Sequence, residues 1–124
     1  MYVYYNPNPV GRESVGDCSV RAISKALDIS WEDAYAKLCV NAFRMGDMPS
    51  SNSVISAVLR MNGFYRENLP CFHNDCYSVR DFARNNPRGV YVLGTGTHVV
   101  TVVDGDWFDS WNSGDEIPQY FWTR

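Results

Sequence analysis

An α+β fold is predicted for this chain by two features of its sequence. Apolar residues recur every three or four positions in segments before Pro87, and after Gly89 that period gives way to runs rich in valine and aromatic residues. The expected architecture is a set of N-terminal helices packed on a C-terminal antiparallel β-sheet, in a single domain covering residues 1–124. No internal repeat, low-complexity tract or linker divides it.

The elements follow in order. Tyr2 to Tyr5 alternate as a short strand, which Asn-Pro-Asn-Pro stops. A loop with Gly11 and Gly16 leads to a first helix opening at Cys18, whose Val20, Ile23, Ala26 and Leu27 form one apolar face. Ser30 starts a second helix through the capping-box form Ser-Trp-Glu-Asp; Trp31, Ala34, Leu38 and Phe43 supply its apolar positions, and it ends near Met45 and Gly46. A third spans Ser51 to Met61 with Val54, Ile55, Val58 and Leu59 inward and Gly63 as its left-handed terminator. A fourth runs from Ser78, with Asp81 as capping partner, to the residues before Pro87. The segments GVYVLG and THVVTVVDGDWFDSW are strands, and Asp104-Gly105 between them is a two-residue hairpin turn. That turn pairs Val103 with Asp106. The same register carried back sets His98 opposite Trp111, two places from Asp109, so a diagonal contact or a bulge brings the Asp109 carboxylate to His98. A last strand, Gln119 to Thr123, completes the sheet.

Composition excludes several classes of function. Apolar residues make up 45% of the chain, enough for a packed interior, and the net charge of −3 is spread without a basic run, so no nucleic-acid partner is expected. No apolar run approaches the ~20 residues of a membrane span, and the first residues lack the form of a secretory signal. A cytoplasmic protein without a membrane partner is the expectation, and in a reducing compartment its 4 cysteines are free thiols. Cys39 falls on a helical apolar stripe. Cys71, His73 and Cys76 stand at spacings a metal can use, yet a structural zinc takes four ligands from two separated pairs, so neither metal nor cofactor is expected.

Cys18 carries the chemical interest. A cysteine at a helix N-terminus sits where the backbone dipoles favour thiolate over thiol, and the amide of Cys18 itself is placed to donate to an oxyanion. The alternative is a buried cysteine packing as a small hydrophobe. A nucleophile needs a base, and of the two histidines His98, at the start of a valine-rich strand, is better placed than His73 in a polar turn. Asp109 has the chemistry to hold the His98 ring, with Asn112 as its competitor. Pro70 to Asp75 and the 45–53 loop are candidate walls of the cleft.

A cysteine opening the first helix, followed by a histidine on a strand and then by Asp109-Ser110-Trp111, resembles the papain-like cysteine peptidase superfamily. In that family a triad Asn or Asp often precedes Ser-Trp, and the resemblance implies that Trp111 shields the hydrogen bond to His98. The stretch GDCSVRAIS is also similar to the cysteine motif of ovarian-tumour-type deubiquitinases, matching at Cys18, Arg21 and Ala22. The two resemblances cover the first helix and about the last quarter of the chain. They imply a papain-like fold and a hydrolase that uses a Cys18-His98-Asp109 triad and a thioester intermediate on a peptide or protein substrate.

The sequence departs from papain where an oxyanion-donating glutamine stands six residues before the cysteine; here that position is Arg12. Asn8, or the backbone amides near Asp17 and Cys18, would take that role. With 124 residues a short cleft is expected in place of a long groove between two lobes. A transamidase using the same triad and a non-catalytic protein-binding module on the same fold are the alternative readings. Arg21 is expected to anchor the loop before Cys18 by pairing with Asp17 or Glu13.

Overall fold

In the computed structural model, which describes residues 1–69 and 77–124, the elements follow the order β1 (Tyr2–Tyr4), α1 (Cys18–Leu27), α2 (Trp31–Met45), α3 (Asn52–Met61), β2 (Tyr65–Asn68), α4 (Val79–Asn85), β3 (Val90–Gly94), β4 (Val99–Val103), β5 (Asp106–Asp109) and β6 (Tyr120–Thr123). Among the described residues this is an α+β chain of four helices and one six-stranded mixed sheet.

Local chemistry sets the helix ends. Ser30 and Ser51 act as N-caps, their hydroxyls accepting the amides of Asp33 and Val54. At α4 the box is reciprocal: Ser78 accepts the Asp81 amide while the Asp81 carboxylate accepts the Ser78 amide. At α2 only the hydroxyl half forms among the described residues. Gly46 ends α2 at φ 67°.

The sheet order is β1-β5-β4-β3-β6-β2. It is not wholly antiparallel, because β1 runs parallel to β5, Tyr2 pairing with Trp107 and Tyr4 with Asp109. Most of the chain lies between those two strands, so no tight hairpin dictates their relative direction. The β4–β5 hairpin keeps the predicted register, Val103 opposite Asp106, and Asp104 and Gly105 both take positive φ (49° and 84°) as a type I′ turn requires.

Strand residues alternate between two cores. Val92, Val99, Tyr120 and Trp122 face α1, α2 and α3, where Ile23, Leu38, Ile55 and Leu59 are almost wholly buried. Leu93, Val100, Val102 and Trp107 face α4 with Val79, Phe82 and Ala83. The sheet is therefore covered on both faces, with α4 opposite the other helices. Cutting Leu59 or Ile23 back to alanine is expected to cost about 2–5 kcal/mol. Phe43 does not join the core: it is 89% exposed, since the buried stripe of α2 steps through Ala34, Leu38 and Ala42 and leaves position 43 a quarter-turn away.

The first core also fixes α1 for the site. The Thr101 hydroxyl on β4 donates to the Ala22 carbonyl at 2.8 Å, pinning the helix across the strand that follows His98.

Candidate active site

Asp109, the last residue of β5, is the hub. Its carbonyl accepts the Tyr5 amide (2.8 Å) and the Tyr2 hydroxyl (3.2 Å), so β1 fastens the backbone there. The carboxylate has no solvent exposure and receives five donors. Oδ1 takes the Arg21 Nε (3.0 Å) and Nη2 (2.9 Å) and the Ser110 amide (2.8 Å); Oδ2 takes the Ser113 hydroxyl (2.7 Å) and His98 Nε2 (2.6 Å). Burial alone would raise the pKa of this carboxyl, but the bonds from His98 and Ser113 and the nearby cations outweigh it and hold the group below its ordinary range.

His98 stands one residue before β4, in a turn where the Thr95 hydroxyl accepts the His98 amide (3.1 Å) and the His98 carbonyl accepts the Thr95 amide (2.9 Å). Its side chain is 10% exposed. Nε2 is committed to Asp109, which leaves Nδ1 for a proton exchanged with a neighbour. Cys18 lines the same cleft as His98 and interacts with it. Burial disfavours the imidazolium, yet the bond to Asp109 and the interaction with Cys18 reverse this and push the His98 pKa up to about 9. At Cys18 burial works against the thiolate; His98, the Val99 amide and the charge of Arg21 overcome it, and the thiol pKa is lowered. All three shifts favour the charged form of the group concerned.

Asp17 is the N-cap residue of α1, but its side chain does not cap the helix. The carboxylate turns away to accept Arg21 Nη1 (2.9 Å) and the Trp31 indole N–H (3.0 Å). The first-turn amides beside Cys18 are thus not covered by the side chain that normally takes them. Arg21, 5% exposed, lies between two buried carboxylates, Asp17 and Asp109. It anchors the loop before Cys18 through Asp17, not Glu13, and it also holds Asp109.

A cleft of about 60 Å³ opens at Cys18 and His98, lined also by Ser50, Asn52, Ile55, Gly96 and Thr97. The 45–53 loop thus contributes to it, as expected. Trp111, 45% exposed, lies over His98 with ring centroids 4.9 Å apart. Asn112 does not compete for the histidine: its side-chain oxygen accepts the Trp107 indole N–H (3.0 Å) and the Gly114 amide (3.1 Å).

The two expected oxyanion donors are placed differently. The Asn8 side-chain oxygen accepts the amides of Val10 (3.0 Å) and Arg12 (3.4 Å), and Asn8 lines a neighbouring groove, not the cleft. The Asp17 amide is spent on the Val15 carbonyl (2.8 Å). Sequence reasoning missed Asn52, the first residue of α3, which lines the cleft, and Ser113, whose hydroxyl completes the Asp109 shell. The SWNSG stretch holds a signal for Ser113 only in hindsight of the loop that folds it back four residues onto Asp109.

Among the described residues no group of three or more His, Cys, Asp or Glu side chains is arranged so that it could hold a metal ion; Cys71, His73 and Cys76, with the Pro70–Asp75 wall, lie outside those residues. No described helix is long and apolar enough to cross a membrane. No protein-family model, curated protein or solved structure matches this chain.

Proposed function

We propose that this chain is a cysteine-dependent hydrolase of peptide, isopeptide or related amide bonds, and a small relative of the papain-like cysteine peptidases. One observation carries the reading: Cys18 opens α1 beside His98, whose Nε2 is held at 2.6 Å by a carboxylate with no solvent exposure. The order Cys18, His98, Asp109 and the Ser110-Trp111 pair support the family assignment.

The thiolate of Cys18 attacks the carbonyl carbon, a C–S bond forms, and the oxygen takes the negative charge. The Cys18 amide, at the start of α1, and the side chain of Asn52, which lines the cleft, are the donors we assign to that oxygen. The imidazolium of His98 gives its Nδ1 proton to the amide nitrogen, the C–N bond breaks, and the amine leaves a thioester on Cys18. Neutral His98 then takes a proton from water as the hydroxide adds to the thioester. Collapse of that intermediate releases the carboxylic acid and returns the thiolate-imidazolium pair. Asp109 remains ionised throughout, orients the ring and offsets its charge.

The test is acylation by p-nitrophenyl acetate, followed by release of p-nitrophenol and by intact mass. A rapid burst with one acetyl group on Cys18, abolished in Cys18→Ala, is expected. An inert Cys18 would overturn the reading and leave a protein-binding module. Adding a primary amine separates hydrolysis from transamidation, since a transamidase passes the acetyl group to the amine.

A further inference from the structure

Between α3 and the edge strand β2 lies a second cavity, of about 380 Å³, within the size range of small-ligand sites. It meets the Cys18 cleft only at Asn52, which lines both. Its charge is of one sign: Arg60 of α3 and Arg66 of β2 line it, and no carboxylate does. Neither guanidinium has an ion-pair or hydrogen-bond partner among the described residues, where the arginines that pair with carboxylates are Arg21, Arg80 and Arg84. Arg66 stands opposite Trp122 of β6, whose side chain packs into the three-helix core, so Arg66 projects from that same face of the sheet. The Tyr120 ring, 4.1 Å from its guanidinium, seats it there. On α3, Ser53, Ser56, Ala57 and Arg60 recur at helical spacing, and helical side chains lean toward the N-terminus, so Arg60 lies back over the turn that holds Ser56. Ser56 is 9% exposed. Its oxygen accepts the Trp122 indole N–H (3.4 Å), and its own proton has no acceptor among the described residues.

We propose that this cavity binds the phosphate group of a small phosphate monoester. Such a group carries a charge of about −1.5 to −2 at pH 7 and three strong acceptor oxygens, which match two guanidiniums and the Ser56 hydroxyl. A carboxylate brings one charge and leaves half of that cationic surface unanswered. The volume holds more than a phosphate, and Met45 and Ala57 offer apolar surface to an organic body. No atom of Cys18, His98 or Asp109 takes part, so the cavity stands whether or not the chain is a hydrolase.

The experiment titrates the full chain with phenyl phosphate at low ionic strength and pH about 7.5, where the monoester is mostly a dianion, and follows the Ser56 amide and Trp122 indole N–H resonances. Both are expected to shift and saturate, with inorganic phosphate and benzoate each binding more weakly. Arg60→Gln should raise the Kd about tenfold or more, the scale of a lost charge-assisted hydrogen bond, and Ala57→Glu, which puts a carboxylate into the lining, should abolish binding. Arg60 is exposed and Ala57 half-buried, and thermal unfolding of each variant checks that the fold is kept. No saturable shift with phenyl phosphate, or the native Kd in both variants, would overturn the site. Benzoate binding as tightly as phenyl phosphate would overturn the phosphate assignment. Acetyl-Ala-phosphoserine-Ala-amide binding about tenfold tighter than phenyl phosphate would replace the small ligand by a phosphoprotein, and co-sedimentation with vesicles of phosphatidylcholine and phosphatidic acid would replace it by a membrane.

Discussion

Cys18 and Cys39 are both free thiols, both half-buried and both on helices, yet their surroundings differ in kind. Cys39 lies in the middle of α2, where neighbouring amides are spent on carbonyls one turn back. Cys18 is the first residue of α1, its N-cap carboxylate has been drawn away by Arg21 and Trp31, and His98 stands beside it with Asp109 behind. If Cys18 is the nucleophile we propose, the pair teaches that burial does not separate a core cysteine from a reactive one. Helix position and the availability of a cation do.

The comparison breaks most completely at the thiol. Cys18→Ala should abolish acyl transfer while Cys39→Ala leaves it, as turnover of an activated ester will report. Asp109→Asn comes next, with a fall in kcat on the order of 10⁴-fold expected from loss of ring orientation. Because that change also removes the counter-charge of buried Arg21, a stability loss of about 3–5 kcal/mol should accompany it in urea unfolding. Asn52→Ala should lower kcat by about 10²–10³-fold with little change in KM, if its carboxamide serves the oxyanion. Trp111→Ala, which uncovers His98 without touching its bond to Asp109, should have the smallest effect, a loss of about tenfold or less, within the range of a general base made less efficient.

Much of this was legible in the sequence. The Asp104-Gly105 turn fixes the β4–β5 register by its own backbone demands, and that register leaves only a diagonal step between Asp109 and His98. The serine caps at Ser30 and Ser78 announced two helices because they satisfy amides a few residues away, and the apolar period announced the one from Ser51. What was not legible depends on contacts distant along the chain. β2 is exposed at all four positions and shows no alternation; it is a strand because β6 offers a free edge, with Arg66 lying 4.1 Å over the Tyr120 ring. Arg21 reads locally as a partner for Asp17, and its second bond, to Asp109, spans 88 positions. Asn52 reaches the cleft only because α3 packs beside α1, a placement no local pattern encodes.

The pH dependence follows from the same groups. On the proposed reading the thiolate-imidazolium pair requires a pH above the lowered pKa of Cys18 and below the His98 value of about 9, so acylation should fall as pH rises through about 9. For stability the signs differ by group. The His98 contribution is fully present below its ordinary value of 6.5 and is lost as pH rises through about 9. The Asp109 contribution is present above the ordinary carboxylate range and is lost as pH falls through its lowered folded value. Thermal unfolding across pH in the native chain and in His98→Ala separates the two.

The most direct test is the pH dependence of iodoacetamide alkylation, followed peptide by peptide for Cys18 and Cys39 in the native chain and in His98→Ala. The expected result is that Cys18 outpaces Cys39 well below pH ~8, where an ordinary thiol is mostly protonated, and loses that lead without His98. A Cys18 that reacts no faster than Cys39, or keeps its lead in His98→Ala, would contradict the ion pair on which the account stands.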